Sequence, residues 1–362
     1  MPSPQRPKRE KKQQPLNDNT IFECLQKVKG VTESTTSAYA VRLKKLCELV
    51  GDCSSSTNSR KLVQLIENAS DTIELLRQAP YELRTRQGWC TAVCAVFKHA
   101  ACASRLTASA ASAWRAFNRE LCTQISTIES HNTRSEHEER GRVTLQEALQ
   151  AEAELRISEP GSARHLLLAW HCLWPPNRGG DSGLVWLVSS RAEADSCLFA
   201  NKNVLILAPA AATPPLFLLR DHKTAKHSGT IVRTLPVNLA SALAASFLAE
   251  NVTNNATSSA TVATLHRRRT CLFESPLTHT PFRSEKSYLA WATRTLLSIF
   301  GRPVTVNSLR HAFVNALDMQ RMSSAKLEAV ASAMGHTVRT QQRSYRRVEH
   351  ADACDAEIIF RK

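Results

Sequence analysis

The sequence predicts a mostly helical protein of two domains, the second carrying one small β-hairpin. Three observations lead there. From about residue 18 to 125, apolar residues recur at three- and four-residue steps, the period of helices with one face turned to a core. A polar, charged stretch without that period, 126–142 (STIESHNTRSEHEERGR), follows and reads as a linker. Farther on, two apolar runs, 216–220 (LFLLR) and 230–237 (TIVRTLPV), flank the polar loop DHKTAKHSG, the pattern of a hairpin with a long tip. With 362 residues, 43% of them apolar, the chain suffices for two cores at roughly 100–200 residues per domain. The expected parts are a basic tail (1–17), a helical domain (18–127), a linker (128–143) and a mixed domain (144–362).

The tail is proline-rich and almost free of apolar side chains, so it is expected to stay disordered. Its Arg6, Lys8, Arg9, Lys11 and Lys12 fit either a nuclear localisation signal or a solvated arm with non-specific affinity for polyanions. In STTSAYAVRLKKLCELV (34–50), Tyr39, Leu43, Leu46 and Val50 share a helical face, with Arg42, Lys44 and Lys45 on or beside the other. Thr35 or Thr36 is the candidate cap. Further helices are expected over 62–77, after Pro80, and over 108–127. The one after Pro80 turns Leu83, Val93, Val96 and Phe97 inward and carries the basic Arg84, Arg86 and Lys98. His131 and His137 in the linker lack further ligands at metal-like spacing and are expected in solvent.

In the second domain a helix starts at Thr144, with Leu145, Ala148 and Leu149. The apolar run 166–174 ends at the breaker Pro175-Pro176. Trp170, Trp174 and Trp186 lie in apolar runs and are expected in the core. A Ser/Thr/Asn/Ala-rich stretch, 251–264, reads as a flexible insertion, bordered by the basic HRRRT (266–270). Helices over 286–300, 308–319, 324–334 and 338–348 complete the pattern.

A formal charge of +15 and a pI of about 9.6 point to polyanionic partners, nucleic acid first, because Lys and Arg neutralise phosphates and release counterions. The 11 cysteines are odd in number, scattered and without a CxxC, which supports neither a disulfide framework nor a zinc site. A reduced, intracellular setting is the simplest expectation. No segment is long and apolar enough to span a bilayer, since the longest candidate, 204–219, is broken by Pro209, Pro214 and Pro215.

The chemistry concentrates near the C-terminus, in VNSLRHAFVNAL (306–317) and AMGHTVRTQQRSY (333–345). These segments resemble the tyrosine recombinase (phage integrase) family, whose catalytic domain ends in an H-x-L-R-H box, a Gly-His box and a Tyr nine residues after that His. Here Arg310 matches the arginine, His336 the histidine and Tyr345 the nucleophile, with the nine-residue step kept. The family order also requires an upstream arginine and a hairpin lysine. Arg178 in NRGGDSGLVWL, three residues before Asp181, and Lys223 in HKT occupy those places. Lys226, on the same loop, is the alternative lysine.

The resemblance implies strand cleavage without a cofactor or metal. Tyr345 would attack a DNA phosphate and hold the strand as a 3′-phosphotyrosine. Arg178 and Arg310 would grip the non-bridging oxygens with forked, always-charged donors. Lys223 would protonate the leaving 5′-oxygen, His336 would donate a further hydrogen bond to the phosphate, and Asp181 would orient a neighbour. TTSAYAVRLKKLCEL resembles the opening helix of the family's core-binding domain. The implied fold is thus a helical core-binding domain plus an α+β catalytic domain forming a clamp on double-stranded DNA. Lys44, Arg84, Arg86, Arg339 and Arg343 are the expected DNA contacts. A homo-tetramer on DNA is implied, with no membrane and no small-molecule substrate.

Two departures stand out. Asn307 replaces the first histidine of its box and cannot carry a proton at neutral pH, while His311 is expected to point elsewhere on the helix. Pro176-Asn177 replaces the usual Thr-Gly before the first arginine. Two other readings stay open: a DNA-binding protein that has lost catalysis, which Asn307 favours, and a type IB topoisomerase, which the Met-Gly-His box and the nine-residue step disfavour. The composition of tail and insertion suggests a eukaryotic mobile element or virus, with the nucleus as the place of action.

Overall fold

The computed structural model describes residues 18–27, 31–50, 61–131, 134–207, 213–252 and 269–346. The basic tail, residues 253–264 of the expected insertion and the chain after Arg346 lie outside the described residues. The chain divides into two compact units, Met1–Ser130 and His131–Lys362. It is mostly helical, with one small four-stranded sheet.

Among the described residues the first unit's regular elements are all helices: α1 (Asp18–Gln26), α2 (Glu33–Val50), α3 (Lys61–Glu67), α4 (Ala69–Gln78), α5 (Leu83–Val96), α6 (Ala100–Ala103) and α7 (Ala108–Ser130). The apolar stripes meet as expected, with Leu43 and Leu46 of α2, Val93 and Val96 of α5 and Trp114, Phe117 and Leu121 of α7 in one core. Two buried contacts tie its helices together. The Trp114 indole donates to the Ile66 carbonyl (2.9 Å), and the Asp18 carboxylate accepts from the Leu62 and Val63 N–H groups at the start of α3 (3.2 and 3.3 Å).

Three expectations are corrected here. The run 62–77 is two helices, because the chain breaks at Asn68, whose backbone is non-helical. The cap of α2 is Thr32, whose hydroxyl accepts from the Thr35 N–H (3.3 Å), rather than Thr35 or Thr36. The expected linker is largely helical: α7 continues to Ser130, and a short α8 (Glu136–Arg140) follows. Local charge pairing explains the latter, since the Ser135 hydroxyl caps the Glu138 N–H and the Glu138 carboxylate returns to the Ser135 N–H.

In the second unit, α9 (Leu145–Ser158) begins with a Thr144–Glu147 capping box, and α10 (Ala163–Cys172) is buried all round from His165 to Cys172. Then come α11 (Gly179–Gly183), β1 (Val185–Val188), α12 (Arg191–Ala194), β2 (Asn203–Ile206), β3 (Leu216–Leu219), α13 (Ala225–Ser228), β4 (Ile231–Thr234) and α14 (Val237–Val252). The sheet runs β1-β2-β3-β4, with β1 and β2 parallel and the rest antiparallel. Leu219 pairs with Ile231, which makes β3–β4 the expected hairpin. The chain closes with α15 (Glu285–Phe300), α16 (Val306–Asn315), α17 (Ser324–Ala333), α18 (Val338–Thr340) and one π-helical turn over Gln341–Tyr345. No helix among the described residues is long and apolar enough to cross a membrane.

Trp170 sits at the centre of this core, fully buried, edge-on to Trp174, Phe217 and Phe273, with its indole N–H donated to Ser182 (3.1 Å). Trp174 is buried as expected, whereas Trp186 is only partly so and packs under the Lys202 ammonium at 4.6 Å. The sheet and α10 thereby form one platform, on whose edge α11, α16 and the π turn converge.

Candidate active site

Where the apolar α10 ends, Pro175-Pro176 forces an extended backbone and delivers Arg178 as the N-cap of α11. The replacement of Thr-Gly by Pro176-Asn177 has a structural consequence. Asn177 is fully buried, and its Oδ1 accepts from Arg233 of β4 (2.9 Å). Arg233 also donates to the Ala333 carbonyl (3.1 Å) and lies 3.5 Å over the Trp174 ring. Burial pulls the Arg233 pKa down to about 9, still charged at neutral pH. One guanidinium therefore ties β4, the Arg178 segment and the end of α17 together.

Arg310 on α16 is only 1% exposed. Its guanidinium donates to the carbonyls of Pro176 (2.6 Å) and Met334 (3.3 Å), and to the Tyr345 hydroxyl (3.1 Å). It also sits 4.7 Å over the Tyr345 ring. Burial lowers its pKa, and the neighbouring Tyr345 works in the opposite sense. A long, forked cation is required here because three acceptors on three segments must be reached at once.

Tyr345 ends the π turn, half-buried between two imidazoles. The His336 ring stacks on it (centroids 5.0 Å apart, planes 20° apart), and His311 lies tilted at 5.2 Å. The expectation that His311 points away is overturned. Its Nδ1 donates to the Tyr345 carbonyl (2.8 Å), and its Nε2 accepts from the Asn307 amide (3.1 Å) and lies 3.6 Å from the Glu138 carboxylate. On α16, Asn307 and His311 are four residues apart and share a face, so Asn307 acts on His311.

His336 follows Gly335, whose φ of +71° an L side chain adopts only with strain, and the turn there aims the imidazole back at Tyr345. His336 Nδ1 donates to the Thr337 carbonyl (3.2 Å), so Nε2 carries a lone pair, buried and without a hydrogen bond. Burial first, and Arg310 second, pull its pKa down to about 4. The ring packs flat against Tyr345.

Arg178, Arg310, Asn307 and Tyr345 line one cavity of about 390 Å³, closed on one side by Leu289 and Val306 and bordered by Glu285. One Arg178 nitrogen is buried without a hydrogen bond. Asp181 sits behind, its carboxyl pushed up to about 6 by burial and drawn back by Arg178 and Arg310. Two guanidiniums and a phenol thus line one volume, with Glu285 the one carboxylate on its lining.

Lys223 is not brought into this cavity. Lys223 and Lys226 are exposed on the hairpin loop, outside the lining residues. The loop itself is anchored beside the site, since the Thr224 hydroxyl donates to the Gly335 carbonyl (3.3 Å) and His222 Nε2 donates to the Gly229 carbonyl (3.0 Å).

The expected DNA contacts divide. Lys44, Arg339 and Arg343 are exposed, Lys44 with its ammonium 5.8 Å from the Phe22 ring. Arg84 forms an ion pair with Glu129. Arg86 is turned inward, donating to the carbonyls of Arg77 (3.1 Å) and Ala79 (2.8 Å), so it closes the end of α4 instead of facing a partner. Arg42 and Lys45, with Arg84, Tyr81 and Trp89, line a groove of about 730 Å³ in the first unit. Gly88 lets Arg42 lie against α5, since a Cβ there would stand 3.3 Å from its Nε. Arg233, His171 and His222 escaped the sequence reading. Arg233 had one usable signal, a basic residue inside the apolar strand TIVRT; the two histidines had none.

No protein-family profile matches this sequence, and no curated protein matches it. Among solved structures, the crystal structure of XerA recombinase is similar over 95% of this chain and 99% of that one, at 12% identity and a TM-score of 0.35.

Proposed function

We propose that this chain is a DNA strand-transferase that cuts and rejoins DNA through a 3′-phosphotyrosine, as the tyrosine recombinase pattern of its sequence implies. The observation that carries the reading is the Tyr345 hydroxyl held 3.1 Å from the Arg310 guanidinium, with Arg178 lining the same cavity. A phosphodiester in that cavity meets two fixed cations, so the extra charge of a five-coordinate phosphorus is met by donors already in place. Tyr345 oxygen forms a bond to phosphorus, the bond to the 5′-oxygen breaks, and the phenol proton passes to solvent water. The leaving 5′-oxygen takes a proton from Lys223, whose long side chain extends from the anchored hairpin loop. Re-ligation reverses each transfer, so the phosphodiester energy is conserved.

The alternative is a DNA-binding protein without catalysis. It is favoured by Asn307 standing where the family has a histidine, its amide engaged with His311, and by Lys223 standing outside the cavity. Recombination between two copies of the DNA flanking the gene, in EDTA, separates the two. Under the proposal, Tyr345→Phe binds the DNA and rearranges none of it. Equal function of wild type and Tyr345→Phe supports the binder. Assembly as a tetramer and action in the nucleus belong to the same proposal.

A further inference from the structure

Away from the phosphate-binding cavity, the first unit gathers Cys24 of α1, His99 and Cys102, whose ligand-capable atoms all lie within 4.8 Å of one another. Cys24 and Cys102 are buried, and His99 is half-buried. The local backbone explains the pairing of the last two. His99 is the N-cap of α6, and its carbonyl accepts from the Cys102 N–H (3.0 Å), so a single turn sets both side chains on one side. The imidazole makes no capping bond, and its Nδ1 is buried without a hydrogen-bond partner. A buried nitrogen lone pair or N–H without a partner is costly, and this imidazole belongs to a cluster with two thiols.

We propose that Cys24, His99 and Cys102 form a zinc(II) site that ties α1 to α6, with water from the half-buried His99 side as fourth ligand. Two sulfurs and one imidazole nitrogen are the donor set that zinc prefers, and tetrahedral Zn–S bonds of about 2.3 Å need ligand atoms roughly 3.5–4 Å apart. The ligand atoms lie within 4.8 Å of one another, so binding draws them together by up to about 1 Å. Binding converts two thiols to thiolates and releases two protons. The resulting site, two thiolates on one divalent ion, is neutral, which suits burial. The role is structural: α1 otherwise attaches through a short apolar stripe, Ile21, Cys24 and Leu25, and Asp18.

The test uses the full chain, stripped of metal with EDTA and kept reduced with a phosphine, titrated with cobalt(II) and read by absorbance. One equivalent of cobalt should produce thiolate-to-cobalt charge-transfer and tetrahedral d–d bands, which one equivalent of zinc abolishes. Cys24→Ser and Cys102→Ser should lose the bands. His99→Gln, at a half-exposed position that leaves the core intact, should weaken cobalt binding at least tenfold. Zinc should raise the melting temperature of wild type and leave that of Cys24→Ser unchanged. Absence of the bands, or bands of equal strength in Cys24→Ser and His99→Gln, overturns the proposal, because the ion would then be held by other thiols such as the exposed Cys122 and Cys197.

Discussion

Replacing Arg310 by methionine keeps most of the side-chain volume and removes the fork. Two carbonyls, Pro176 and Met334, lose a donor inside the core, together with the Tyr345 hydroxyl. Each orphaned buried acceptor costs about 1–3 kcal/mol, while removal of a buried charge relieves several kcal/mol of desolvation. The two largely offset, so a net loss of roughly 1–3 kcal/mol of stability is expected, not unfolding. The rate is affected more. Loss of one preorganised donor at a developing anion costs about 10²–10³-fold. Arg310→Lys should sit close to Arg310→Met in rate, because one ammonium cannot reach three acceptors on three segments. Urea unfolding gives the stability, and the rate of covalent capture on nicked DNA in EDTA gives the chemistry. A rate for Arg310→Met within tenfold of wild type, with unchanged DNA binding, would refute the role assigned to this residue.

Three further outcomes follow from the geometry. His311→Ala removes the donor to the Tyr345 carbonyl; it should cost about 0.5–1.5 kcal/mol and slow covalent capture while gel-shift affinity holds. Acid should destabilise the fold. His336 and His171 are held neutral, at about 4 and about 3, so below pH 6.5 the unfolded chain binds protons that the fold excludes, at up to about 1.4 kcal/mol per pH unit for each ring. Asp181, raised to about 6, works the other way between pH 6 and 4, so wild-type urea midpoints should fall over that window and those of His336→Gln should be nearly flat; an unchanged slope in the variant sinks this reading. Finally, Arg86→Ala should cost the helical unit about 1–3 kcal/mol and leave the salt dependence of DNA binding alone, whereas Lys45→Ala should reduce the slope of log K against log salt by about one.

Much of the helical architecture was legible because it rests on periodicity. Leu43, Leu46, Val93 and Val96 announce a core face from sequence alone, and α10 declares burial by lacking any polar face. The hairpin was legible from its two flanking runs. Strands β1 and β2 were not, because Val185–Val188 and Asn203–Ile206 are buried four-residue runs without alternation, and such runs carry no period to read. The break at Asn68 is a single non-helical backbone conformation, and the helix at Glu136–Arg140 depends on the reciprocal Ser135–Glu138 bonds, neither of which periodicity encodes. In the site, Arg178, Arg310, His336 and Tyr345 were singled out by the resemblance of their segments to a family pattern. Their mutual geometry depends on partners no spacing reveals: Arg233 on Asn177, His311 on the Tyr345 carbonyl, Thr224 on Gly335. The metal cluster was invisible for the same reason, since Cys24 reaches His99 and Cys102 only through the packing of α1 on α6.

The most direct test is covalent capture. Full-length protein is mixed in EDTA with nicked duplex from the flanks of its gene, labelled at the end that stays with the cleaved 3′-phosphate, and resolved on a denaturing gel. Wild type should give a labelled protein–DNA band and an adduct peptide that contains Tyr345, and Tyr345→Phe should give neither. An adduct that persists in Tyr345→Phe, or DNA that is bound and never captured by wild type, contradicts the phosphotyrosine mechanism.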